Sequence, residues 1–157
     1  MQQHKIATLA TIFSEVLADL AFMFTEDDQA DADPADAWLE TKIGYRGSEC
    51  GYLRFRCPAK FCTHLAANLL GVDPTDGNAE SQSQDAVKEF MNVVCGHFVT
   101  GMYGTEEVFD LTIPETAPLC GPPDLSINDG ERIATITVEG FPLQLEYEPG
   151  TRAETDG

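Results

Sequence analysis

The sequence predicts an α+β fold, a mixed or antiparallel sheet with two long helices and one short helix packed on one face. Three observations carry this reading. Two long segments repeat apolar residues at helical spacing. Two pairs of segments alternate apolar and polar residues across tight turns. Helices and strands also come in blocks, in the order α-β-β-α-α-β-β-β, rather than in strict alternation. At 157 residues, 43% of them hydrophobic, the chain suits one cored domain and is too short for two domains plus a linker. The expected domain covers 1–148, with PGTRAETDG (149–157) as a flexible C-terminal tail.

The first helix is expected over 4–24, with Ile6, Leu9, Phe13, Leu17, Leu20 and Phe24 as its buried stripe. Ser14, Glu15 and Asp19 interrupt the apolar stretch, a pattern that neither a signal peptide nor a membrane span tolerates. The expected location is therefore the cytoplasm. EDDQADADPADA follows, a carboxylate-rich run read as a solvated mobile loop. No placement of the run gives acids at positions one, three and five of a calcium loop together with its Gly and Glu.

WLETKIGYR (38–46) and GYLRFRC (51–57) form a hairpin, with Leu53, Phe55 and Cys57 inward and Tyr52, Arg54 and Arg56 outward. Lys42, Arg46, Arg54, Arg56 and Lys60 lie in or beside it, five of the nine basic residues, as one basic patch on an acidic body. That patch is either a docking surface or a solvated strand face. Pro58 opens a short helix over 58–70, packed through Phe61, Leu65, Leu69 and Leu70 and stopped at Gly71. GVDPTDGNAE reads as a loop, and a second long helix runs from about Ser83 to Tyr103. The remainder is β: VFDLTI (108–113), a Pro/Gly-rich stretch over 114–130, then RIATITVE and PLQLEYE joined at Glu139-Gly140-Phe141. In the last strand Leu143, Leu145 and Tyr147 face inward against Gln144, Glu146 and Glu148.

Composition narrows the function. With 27 acidic and 9 basic side chains, the formal net charge is −18. Nucleic acid and anionic membrane both demand a basic face, so neither is an expected partner. A protein or a small molecule is. The five cysteines (Cys50, Cys57, Cys62, Cys95, Cys120) include no C-x-x-C pair, and His4, His64 and His97 are scattered. No metal site is expected, and the cysteines read as small buried hydrophobes of a reducing compartment.

Chemistry concentrates on the second long helix. At about 100° per residue, Val87, Phe90, Met91, Val94, Phe98 and Gly101 share one side, the buried stripe. Asp85, Glu89, Asn92 and Gly96 stack on the opposite side in successive turns. A mid-helix glycine costs about 1 kcal/mol relative to alanine. Placed on an exposed face, Gly96 suggests that something approaches the backbone there.

Asp85-x3-Glu89-x2-Asn92 is followed by Pro114, with 21 residues between Asn92 and the proline. This pattern resembles the signature of the CheC/CheX/FliY phosphatase family of bacterial chemotaxis, in which Asp or Ser, Glu and Asn at these spacings precede a proline. The interval to the proline is one residue shorter here, a loop-length difference that leaves the helical positions intact. The family carries an internal pseudo-repeat, and Thr11-x3-Glu15-x2-Ala18 on the first helix has the same spacing. There the acid is kept and the amide replaced by a methyl, a pattern most like single-site CheX.

The resemblance implies a protein substrate, a phosphorylated CheY-like receiver domain bearing an aspartyl phosphate, in chemotaxis or two-component signalling. It implies Glu89 and Asn92 as catalytic residues and Asp85 and Gly96 as partner-binding ones. Asn92 suits the orientation of an attacking water, and Glu89 the pairing with a lysine of the receiver. Asp85 either adds docking charge or favours the helix dipole. The chain needs no cofactor of its own on this reading, because Mg²⁺ belongs to the receiver. A homodimer is implied. Two other readings remain open: a non-catalytic receiver-binding or flagellar-switch module using the same helix, and an unrelated domain binding a small molecule between helix and sheet. No G-x-S-x-G, P-loop or zinc motif supports another hydrolase.

Overall fold

The computed structural model describes residues 2–150, and side chains from Lys5 onward. Its elements are α1 (Gln2–Ala21), β1 (Thr25–Glu26), β2 (Trp38–Arg46), β3 (Cys50–Pro58), α2 (Ala59–Leu70), α3 (Gly77–Ser81), α4 (Ser83–Tyr103), β4 (Asp110–Leu111), β5 (Glu115–Pro118), β6 (Ile133–Val138) and β7 (Phe141–Pro149). All strand pairs are antiparallel, in the order β1-β6-β7-β3-β2-β4, with β5 sharing the β2 edge. The expected α+β class and the helices on one face are what the chain adopts.

The strand order is symmetric about the central β3–β7 pair. β1, which follows α1, crosses to pair with β6, and β4 and β5, which follow α4, cross to pair with β2. Each half of the chain thus supplies an edge to the other half. Between the sheet and the helices lies one core. Phe13 of α1 packs on Phe55 and edge-on to Phe90 of α4, and Phe61 of α2 packs on Phe55. At the far end Tyr45 and Tyr147 pack against Phe98. The Tyr45 hydroxyl is pushed above its ordinary pKa by burial, then by its hydrogen bond to Tyr103 at 3.0 Å.

The hairpin strands fold as expected: Leu53, Phe55, Cys57, Leu143, Leu145 and Tyr147 are all buried. α4 occupies the anticipated span, and α2 ends where Gly71 adopts φ 72° and donates its N–H to the Ala67 carbonyl.

Several expectations are corrected. α1 stops at Ala21, where Phe22 turns left-handed (φ 55°), so Phe24 faces solvent and Met23 enters the core; Leu20, inside the helix, is also on its exposed side. Leu69 and Leu70 are exposed, and α2 packs through Phe61, Cys62, Leu65, Ala66 and Ala67. The stretch read as GVDPTDGNAE loop holds α3, capped by Asp76 accepting from the Asn78 N–H. Gly101 lies at the surface beside Ile12 rather than in the buried stripe. Gln144 is buried although its position points away from the helices, since the 119–130 segment folds over that face and Gln144 Nε2 donates to the Asp124 carbonyl. The acidic loop is tethered over the same face, Ala30 N–H donating to Thr137 Oγ1. β7 runs to Pro149, one residue past the expected boundary, and Gly150 N–H donates to the Cys50 carbonyl; 151–157 lie outside the described residues.

Three of the five residues of the basic patch are paired with carboxylates. Arg54 pairs with Glu40 at 3.1 Å and Glu148 at 2.5 Å, and Arg56 with Glu40 at 3.0 Å and with Glu146. Lys60 pairs with Asp36, and the Lys42 ammonium sits over the Tyr52 ring. Cross-strand register puts the two arginines and their acids beside one another, so Arg54 and Arg56 hold the outer sheet face together instead of offering free charge.

The segment 108–113 departs furthest from expectation. Only Asp110 and Leu111 pair with β2, and β5 takes over the same edge from Glu115. Between the Tyr45–Leu111 and Lys42–Glu115 partners, β2 spends two residues and the β4–β5 segment three, which is a β-bulge. Thr112 anchors it: its N–H donates to the Gly44 carbonyl and its Oγ1 accepts from the Gly44 N–H at 2.8 Å. A Cβ at position 44 would meet the Tyr52 ring at 3.0 Å and Thr112 Cγ2 at 3.2 Å, so glycine permits the approach.

Candidate functional site on helix α4

Seven buried side chains clamp α4 to the core: Val87, Phe90, Met91, Val94, Cys95, Phe98 and Val99. A helix held this firmly on one side presents the other at fixed spacing. Asp85 and Glu89 are exposed there, and Asn92 and Gly96 are half-buried.

Opposite the first three stands the bulged β4–β5 segment. Asp85, Lys88, Glu89 and Asn92 form one wall of an open groove of about 550 Å³, and Leu111, Thr112, Ile113 and Pro114 form the other. Residues 92 and 114, distant in the sequence, therefore face the same space. The proline that the family resemblance singled out lies across from the amide, as do three neighbours that sequence reasoning did not select. Lys88 was missed as well. It sits one residue before Glu89 and turns to the same groove, a position that helical spacing makes accessible but does not mark.

Gly96 is not brought into this groove. It lines a second one, of about 510 Å³, with Ile12 and Glu15 of α1 and His97, Thr100 and Gly101 of α4. A Cβ at Gly96 would touch nothing within 4 Å, so packing within the chain gives no reason for glycine there. Thr11 and Glu15 are exposed and Ala18 is half-buried, so the two helices place their matching positions at the surface.

The site is electrostatically open. Among the described residues, no side-chain hydrogen bond or ion pair engages Asp85, Glu89 or Asn92. The acids across the sheet differ, since Glu40, Glu146 and Glu148 are all paired with arginine. A carboxylate and an amide with unused hydrogen-bonding capacity, about one turn apart, are equipped to hold a cation and a water from outside. Cys95 lies behind them, its thiol pushed up to about 12 by burial, and stays protonated and unavailable as a nucleophile. Among the described residues no three His, Cys, Asp or Glu side chains converge to hold a metal ion, and no helix is long and apolar enough to cross a membrane.

The family model for chemotaxis phosphatase CheX matches residues 39–118, just over half of the chain. The chain belongs to the CheX family. No curated protein sequence matches it. Solved CheX structures share the fold at low identity. CheX from Desulfovibrio desulfuricans has 13% identity and a TM-score of 0.67, covering 94% of this chain and 99% of its own. CheX from Vibrio vulnificus has 18% identity and a TM-score of 0.66, covering 94% and 97%. The CheX–CheY–BeF3–Mg²⁺ complex from Borrelia burgdorferi gives 18% identity, a TM-score of 0.61 and coverage of 91% and 96%.

Proposed function

We propose that this CheX-family protein hydrolyses the aspartyl phosphate of a CheY-like receiver domain. The observation that carries the reading is the groove in which Glu89 and Asn92, both without side-chain partners among the described residues, face Pro114. An acyl phosphate is cleaved when water attacks phosphorus in line with the leaving carboxylate. The P–O bond to the aspartate breaks, and inorganic phosphate and the free carboxylate result. Positioning and charge supply most of the catalysis.

Asn92 is neither acid nor base, but its amide accepts from and donates to one water at once, directing a lone pair at phosphorus. Glu89, one turn before it, meets a lysine ammonium of the receiver, a charge-assisted contact that seats the amide and moves the lysine together. Asp85, in the first turn of α4, adds negative charge at the mouth. Mg²⁺ belongs to the receiver on this reading, and this chain's residues act without one. The Borrelia CheX was crystallised with CheY, BeF3 and Mg²⁺, which supports a receiver as the partner class. A homodimer and a cytoplasmic location accompany the proposal, the first checked by light scattering of the purified protein.

The test is decay of a phosphorylated receiver from the same genome. Asn92→Ala is expected to abolish acceleration while binding survives, and Glu89→Ala to weaken both. Unchanged decay with Asn92→Ala would remove the mechanism. Binding by the wild-type chain without faster phosphate release would establish a receiver-binding module instead.

A further inference from the structure

Ile113 is 86% exposed, on the rim of the groove that holds Glu89 and Asn92. Single exposed apolar side chains are ordinary on protein surfaces. This one is set apart by its mounting. It is the central residue of the three that the bulge places opposite two of β2, between Thr112, fixed to Gly44 by two hydrogen bonds, and Pro114, whose ring limits the backbone. It also borders two hollows: the groove of about 550 Å³ on the α4 side, and a smaller one of about 150 Å³ lined by Lys42, Gly44, Tyr52, Thr112 and Glu115. The side chain therefore stands on a ridge between concavities, and the backbone of that ridge is held in place before any partner arrives. Bulges beside active sites commonly re-aim a side chain in this way, and a pre-ordered apolar anchor loses little entropy on docking.

We propose that Ile113 is the apolar anchor that docks the receiver, inserting beside the receiver lysine that Glu89 engages. This rests on the receiver-phosphatase reading above and extends it to the partner's surface. The groove's α4 wall, with Asp85 and Glu89, calls for a cationic group. The ridge facing it calls for a shallow apolar depression next to that cation. The occupant is the phosphorylated receiver because Ile113 and Asn92 line one continuous groove, so a molecule offering phosphorus to Asn92 covers Ile113. An aliphatic side chain has no group to offer the hydrolysis, so its role is in binding.

Steady-state dephosphorylation separates binding from chemistry. Ile113→Ala is expected to raise KM about tenfold with kcat unchanged. It is also expected to weaken binding to the receiver loaded with BeF3 and Mg²⁺ by a similar factor. Ile113→Leu should restore both. Val108→Ala serves as the control, since Val108 is 83% exposed and does not line the groove. Its KM should equal the wild-type value. An unchanged KM for Ile113→Ala, or an equal rise for Val108→Ala, overturns the anchor while leaving the phosphatase reading standing if Asn92→Ala still abolishes decay. A wild-type chain that neither binds nor accelerates decay of the receiver ends both. Thermal melts of each variant establish that the fold is intact.

Discussion

Helices α1 and α4 are both buried along one side and both carry a Glu at the matching position of the same spacing, yet only one faces a wall. Glu89 and Asn92 look across a groove at Thr112, Ile113 and Pro114, which the β2 edge holds in place. Glu15 looks at the flank of α4, at Gly96, His97 and Thr100, with Ala18 where the amide would be. The contrast teaches that the helix motif is half of the proposed site. The other half is an edge segment bulged by one residue, and near-symmetric strand order does not by itself reproduce it on both sides.

The comparison is sharpened first through the core. Phe13 and Phe90 meet edge-on, 5.2 Å between ring centroids, so replacing either by alanine should cost about 3–5 kcal/mol in urea unfolding. Similar losses would show that the helices contribute alike to the fold and differ only at their outer faces. Asn92→Ala is next, expected to lower the stimulated decay rate at least about 100-fold, against less than about twofold for Glu15→Ala. Equal losses would break the asymmetry. Gly44→Val attacks the bulge from beneath: its side chain would collide with Tyr52 and Thr112, costing about 1–3 kcal/mol and raising KM through the displaced wall. The smallest effect belongs to Ala18→Asn. Restoring the amide on α1 should leave activity within about twofold of wild type, because no bulged segment faces it. A doubling of active sites, counted by titration with the BeF3-loaded receiver, would show that the wall is dispensable.

Much of this was legible in the sequence because the governing patterns are local. The α4 span, the 38–57 hairpin and the solvent-facing row of Asp85, Glu89 and Asn92 follow from side-chain periodicity, and Pro114 was picked out only by the resemblance to the family signature. What was not legible depends on distant partners. β1 is two exposed residues that are a strand only because β6 lies alongside. VFDLTI reads as one continuous strand, yet Gly44 and Thr112 split the pairing and turn Ile113 outward. Arg54 and Arg56 read as free charge in the sequence because two of the three acids that neutralise them, Glu146 and Glu148, come from β7, about ninety residues later. Gly96 shares a helical face with Asn92 but opens into a different groove, since α1 closes over that end of α4.

The exchange of edges between the two halves has a consequence for biosynthesis. While the ribosome is still making residues before 133, β3 has no β7 at its side and β1 has no β6, so the N-terminal half emerges with two strand borders open. Completion must wait for the final hairpin. Truncation before it therefore leaves a nascent chain exposing unpaired backbone, a target for chaperones or for aggregation rather than a smaller working domain.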